Sequence, residues 1–382
     1  MPEATAARRF TRRQLNGGRH AAASAWRAWM RAGIGAALAL AVALGGLTMP
    51  VAEAAGAAAN TENAAFPPGS LASSDGGGLP GFHSPPPTSS YASGTTAGGP
   101  VRTRPAQMPF YVATRGTTTI YVLGTLHVGD PADYPPGQPF RRPILAALDA
   151  SPILALELSP DDLLVSQDDV SKYGVCRRPC LQQALPGPLW QRLVARMRGN
   201  PEALAEIRQM RPWLASLMVE TYDSLSAGLQ TEYGTEAQLQ NVFLKLKGRR
   251  IVGLETLAEQ MRAFTNLTLA QQREMLAQDL AQTPAQNVAD VEALLRLWRL
   301  GDADAIAAWE AARSERLAQN LRVSESIDDR ILYRRNRRFV SRMVAIAAPN
   351  RPVFVAIGAL HLGGRRGVLA LLGERGFVVV PG

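Results

Sequence analysis

Two histidines in this sequence lie in near-identical settings, Val122-Leu123-Gly124-Thr125-Leu126-His127-Val128-Gly129 and Ala356-Ile357-Gly358-Ala359-Leu360-His361-Leu362-Gly363. In each, an apolar run enters a glycine, then a small residue, a leucine and the histidine, with another glycine two places on. Imidazole binds metals, moves protons near neutral pH or makes structural hydrogen bonds. A lone strand-end histidine is usually structural, and it is the duplication of GxxH that marks this pair as a shared chemical site. The glycines are expected to let the backbone leave a sheet in conformations closed to other residues and to leave room beside each ring.

Two acids occupy comparable places. Glu157 ends Ile153-Leu154-Ala155-Leu156, and Glu255 ends Ile251-Val252-Gly253-Leu254. A carboxylate flanked this way is costly to bury unless it is paired, protonated or bound to metal. Glu255 also precedes Thr256-Leu257-Ala258-Glu259, a capping box, and Glu236 follows Thr235 in Thr235-Glu236-Ala237-Gln238, read as another. Helix-end electrostatics alone would account for either acid. The basic run Arg334, Arg335, Arg337, Arg338 and Arg342 reads as a solvated helix face, with room for one member to turn inward and stabilise negative charge.

The elements that must position these residues follow from periodicity. Residues 109–114 and 117–123, β-branched and aromatic on both sides of Arg115-Gly116, predict a hairpin. Apolar runs at 153–158, 250–254, 352–357 and 376–380 predict buried strands separated by helical stretches. The expected class is α/β, with a central, mostly parallel sheet, an N-terminal hairpin, flanking helices and a large helical cap over about 257–348. Val288, Val291, Leu294, Leu295 and Trp298 show helical spacing that Gly301 stops. In open α/β sheets ligands bind at the carboxyl ends of the strands, where both histidines and both strand-end acids would lie.

The first hundred residues have a different character. Seven arginines stand in the first 31 positions against Glu3, and residues 32–52 carry no charge before Ala52-Glu53-Ala54. This reads as an export signal over 1–54 with cleavage before Ala55, the alternative being an uncleaved anchor in the inner membrane through residues 32–52. Without residues 1–54 the balance is 41 − 7 = 34 basic against 32 − 2 = 30 acidic, a charge of +4, so the +9 of the whole chain is mostly a targeting feature and argues against nucleic-acid binding. Residues 55–105, rich in Gly, Ser and Pro, read as a disordered tether to a domain over 106–382. The two cysteines, Cys176 and Cys180, fit a local disulfide of a periplasmic or other envelope compartment. No G-x-S-x-G, P-loop or dinucleotide fingerprint falls in a strand-to-helix setting.

The sequence resembles the TraB/PrgY/GumN family, which includes the Tiki-type proteins. The resemblance is carried by Val122-Leu123-Gly124-Thr125-Leu126-His127, the acid in Leu156-Glu157-Leu158, the block Val252-Gly253-Leu254-Glu255-Thr256-Leu257-Ala258-Glu259-Gln260, the pair Arg335-Asn336, and Val355 through Gly363. It implies a sheet-and-helix fold with two GxxH motifs and, in the Tiki branch, divalent-metal-dependent peptidase activity. Carried onto this chain, the expectation is an exported hydrolase acting on a peptide or small amide. His127, His361, Glu157 and Glu236 would hold Zn, Mn, Co or Fe, and Glu157, Glu255 and Arg335 would act in catalysis. The alternative is a non-catalytic envelope protein that sequesters a peptide signal or a cofactor.

Overall fold

The computed structural model of the protein describes residues 104–165 and 172–382. The export segment and nearly all of the tether therefore lie outside the described residues. Among the described residues no helix is long and apolar enough to cross a membrane.

The hairpin forms as its β-branched residues require, with strands β1 (Phe110–Arg115) and β2 (Thr118–Thr125) joined through Gly116 at φ 58°. The other apolar runs become β3 (Ile153–Leu156), β4 (Arg250–Gly253), β5 (Val353–Gly358) and β6 (Val378–Pro381). The sheet order is β4-β3-β5-β2-β1-β6. Strands β4, β3, β5 and β2 run parallel, and β1 is antiparallel to both β2 and β6. The carboxyl ends of four neighbouring strands therefore share one edge, and β2 lies directly against β5 with Gly124 opposite Ile357 and Thr125 opposite Gly358.

Side chains alternate between the two faces, each with its own core. Leu123, Leu154, Leu156, Phe354 and Ala356 pack on one face against helices α1 (Arg142–Ala150), α5 (Thr235–Phe243) and α8 (Pro284–Leu300). Ile120, Val122, Ile153, Ala155, Val355 and Ile357 pack on the other against α11 (Arg334–Ile346) and α12 (Val368–Glu374). A third core is almost wholly helical and unites α2 (Gly187–Arg196), α3 (Pro201–Ile207), α4 (Pro212–Ser226), α6 (Leu257–Thr265) and α7 (Leu269–Asp279). The helical cluster thus draws on segments before and after β4, while α8 and α11 return to the sheet. Helix α8 stops at Gly301, φ 80°, as its spacing implies, and Trp298 Nε1 donates to the Gly124 carbonyl at 2.9 Å. Helices α9 (Ala303–Leu317) and α10 (Leu321–Asp328) follow, and a π-helical turn over Asp329–Tyr333 joins α10 to α11. The Cys176–Cys180 disulfide is formed, with Cα atoms 6.3 Å apart.

Two sequence expectations are corrected. The GxxH glycines and the glycines following each motif are not in the left-handed region; space, not conformation, selects them. A Cβ on Gly124 would sit 3.1–3.2 Å from Leu362 and Ala359, and one on Gly363 would stand 2.0 Å from the Ala303 carbonyl oxygen. The capping box read at Thr235 does not form: Gly234 is the N-cap of α5, and the Thr235 hydroxyl oxygen instead accepts from the Leu126 N–H at 3.0 Å. The box at Thr256 and Glu259 forms as expected.

Because a methyl at Gly363 would collide with backbone rather than with a flexible side chain, Gly363→Ala is expected to cost about 1–3 kcal/mol. Gly373→Ala, where a Cβ meets nothing within 4 Å in the last turn of α12, is expected to be neutral or to stabilise by up to about 1 kcal/mol. Urea unfolding of both variants checks the contrast.

Candidate functional site

Because β2 and β5 are parallel neighbours, the two GxxH motifs leave the sheet side by side. His127 follows β2 by two residues and is half-buried, whereas His361 closes a short 3-10 turn, Ala359–His361, and is 4% exposed. Glu157 leaves β3 on the other side of β5, and Glu255 follows β4, its N–H bonded to the Glu157 carbonyl at 2.9 Å. Glu236 enters from the first turn of α5, where the Thr125 hydroxyl donates to its Oε1 at 3.0 Å.

A single guanidinium ties much of this edge together. Arg335, 5% exposed, is the member of the basic run that turns inward. Its Nε donates to Glu255 at 3.0 and 3.3 Å, Nη2 to Glu157 and to Glu255, and Nη1 to His361 Nε2 and the Ile331 carbonyl, each at 3.2 Å. Arginine only donates, so His361 Nε2 accepts. The proton of that ring is therefore on Nδ1, which donates to Asn336 Oδ1 at 2.6 Å. Ile331 belongs to the π turn that precedes α11, and such turns re-aim the helix residues that follow them. The remaining oxygen of Glu157 accepts the Gly358 N–H at 2.8 Å. Glu255, whose side chain is fully buried, also meets Arg338 at 3.4 Å.

The electrostatics separate the carboxyls. Burial opposes ionisation of Glu157, but Arg335, both imidazoles and the Gly358 N–H hold it down at about 2. Burial instead pushes Glu236 up, with His127 pulling it back and the Glu157 charge raising it further. Glu255 is raised too, by burial first, with Arg335 countering. Burial forces His361 down to about 3, so its ring is neutral, and Arg335, in spite of its burial, is held more firmly charged by Glu157 and Glu255.

The structure thus brings all six expected residues to one edge. All five guanidinium N–H groups of Arg335 are engaged, so none is left for a reacting oxyanion, and Glu255 is a buried counter-ion. A divalent ion needs several donors turned to one point at about 2.0–2.2 Å. Among the described residues no group of three or more His, Cys, Asp and Glu side chains is so arranged. The Arg335 cation already lies against Glu157 and His361 Nε2, so His127, His361, Glu157 and Glu236 as placed do not fit a metal. Spare capacity remains on His127, whose buried Nδ1 has no partner, and on Glu236. Thr125 carries no sequence signal of its own, Asn336 is legible only through its place beside Arg335, and Thr235 reads from the sequence only as a helix cap.

Removing the guanidinium strands two buried carboxylates, so Arg335→Met is expected to cost about 3–5 kcal/mol in urea unfolding. The contribution of His361 to stability should also fall with acid in a defined window. Unfolded His361 takes up a proton below its ordinary value of 6.5, while the folded ring resists until about 3. Its share of stability therefore falls by about 1.4 kcal/mol per pH unit between those values. Glu157 adds a loss between its ordinary 4.5 and about 2, and Glu236, being raised, works in the opposite direction above 4.5. Relative to wild type, His361→Gln should remove the histidine slope between about pH 6.5 and 4.5, measured as the difference in unfolding free energy of the two proteins across that range.

Comparison with known proteins adds one finding. No curated protein and no solved structure matches the chain. A family model does match, over residues 109–381, which contain the whole sheet, both GxxH motifs and Arg335. On that match, the chain belongs to the TraB/PrgY/gumN family.

Proposed function

We propose that the protein is a hydrolase of a peptide or other amide, worked by His127 and Glu236 beside a fixed charged platform of Glu157, Arg335, Glu255, Asn336 and His361. The observation that carries this reading is the separation of two carboxyls at one strand edge: Glu157 is held ionised while Glu236 is pushed toward its protonated form. Neighbouring acids whose environments drive them apart are the usual arrangement for dividing acid and base work.

Glu157 itself is a poor base at about 2 and its oxygens are taken, so the proton acceptor is His127, the imidazole with an unpartnered nitrogen. His127 takes a proton from water as the water oxygen adds to the amide carbonyl carbon. Glu236 gives its proton to the leaving nitrogen as the C–N bond breaks, yielding a carboxylic acid and an amine. His127 then releases its proton to solvent and Glu236 is protonated again. No step is routed through a metal, because the donors as arranged do not fit one.

Export of the chain, expected from residues 1–54, would place this chemistry in the cell envelope, and the Cys176–Cys180 disulfide supports an oxidising compartment. The rival reading, a non-catalytic protein that holds a peptide or cofactor, draws on the same saturated network around Arg335. A peptide-library assay on the purified protein separates them. Cleavage that survives chelator and drops about 100-fold or more in both His127→Ala and Glu236→Gln supports the hydrolase. Cleavage lost to chelator and restored by a stoichiometric divalent ion would replace it with a metalloenzyme, and peptide binding without cleavage would favour sequestration.

A further inference from the structure

A pocket of about 210 Å³, lined by Glu259, Arg262, Ala263, Asn266, Arg330, Arg334 and Arg338, opens between α6 and the π turn that leads into α11. Four guanidiniums face one carboxylate there, and that carboxylate is already neutralised. Glu259 takes Arg342 in a two-armed contact at 2.7 and 2.8 Å and closes the Thr256 capping box, which holds it at about 2. Among the described residues, the side chains of Arg262 and Arg330 have neither a hydrogen bond nor an ion pair. Arg338 reaches only Glu255, at 3.4 Å, and its buried Nε has no partner.

Acids nearby do not make up the deficit. Asp329 is shared among Arg334 at 2.8 Å, Arg337 at 3.9 Å and Arg366. The carbonyl end of α6, capped at Asn266, contributes only about half a negative charge. Guanidiniums crowded around a cavity repel one another, and their planar forks match an oxyanion that carries several acceptors.

We infer that this pocket is a binding site for a phosphate-type dianion, held by Arg262, Arg330 and Arg338. The site is separate from the strand edge that carries His127 and Glu236, and it does not depend on the hydrolase reading. Its one link to that edge is Arg338, which touches the same Glu255 carboxylate that anchors Arg335.

Calorimetric titration of the full chain with inorganic phosphate at constant ionic strength, against chloride as the control anion, tests the site. Phosphate is expected to bind with a dissociation constant of about 1 mM or tighter. Arg262→Ala with Arg330→Ala should weaken it by roughly tenfold per guanidinium removed. Neither arginine has a partner to lose, so the double variant should keep the wild-type melting temperature. Arg262→Lys with Arg330→Lys, which keeps the charge and loses the fork, should fall between the two. Phosphate that fails to bind the wild type at about ten times that concentration, or that binds the double alanine variant as tightly as the wild type, would overturn the proposal.

Discussion

The buried Arg335 guanidinium is the constraint on which the site depends. It lies between Glu157, from the end of one strand, and Glu255, from beyond the next, and its Nη1 fixes the ring of His361. Two carboxylates placed in such a setting without it would each carry a desolvation cost of several kcal/mol. The cation therefore permits the sheet to deliver acids from adjacent parallel strands to one buried edge. Once there, its donors and their oxygens saturate one another. What remains chemically available is set by what the guanidinium leaves alone, namely His127 and Glu236.

The sheet order gives the other half of the arrangement. The GxxH motifs are more than two hundred residues apart in sequence, yet they emerge side by side, one residue out of step, because β2 pairs with β5. Tight packing maintains that neighbourhood: Gly124 has the second motif's Ala359 and Leu362 against it, and the Trp298 indole caps the Gly124 carbonyl from α8. The two histidines are not equivalent. One is buried and locked between Asn336 and Arg335, while the other is half-buried with a free nitrogen.

Much of this was legible in the sequence, and the parts that were not have physical reasons. Runs of β-branched residues gave the hairpin and the four later strands because burial on both faces leaves so plain a signature. The strand-end positions of His127, Glu157, Glu255 and His361 followed from those runs. Which strands lie side by side is a non-local fact, and no spacing along the chain shows β5 inserted between β2 and β3. Spacing alone leaves Arg335 as one of a basic helix face, and only the family resemblance picks it out, because the π turn before α11 sets which arginine points inward and its hydrogen-bond pattern has no simple sequence signature. Thr235 looked like a helix cap because a threonine before Glu-x-Gln reads that way locally; in the fold its oxygen is taken by Leu126 and Tyr134 instead. A related reason bears on metal binding: residue types suggest ligands, but they do not reveal that a guanidinium lies against the lone pairs of Glu157 and His361.

The claim that Arg335, rather than a metal ion, engages the His361 ring is open to direct measurement by nitrogen NMR of the imidazoles. The expected spectrum at neutral pH shows His361 protonated on Nδ1 and unprotonated on Nε2, unchanged when Zn²⁺ is added. A large Nε2 shift on adding stoichiometric Zn²⁺, or a ring protonated on both nitrogens at neutral pH, would contradict it.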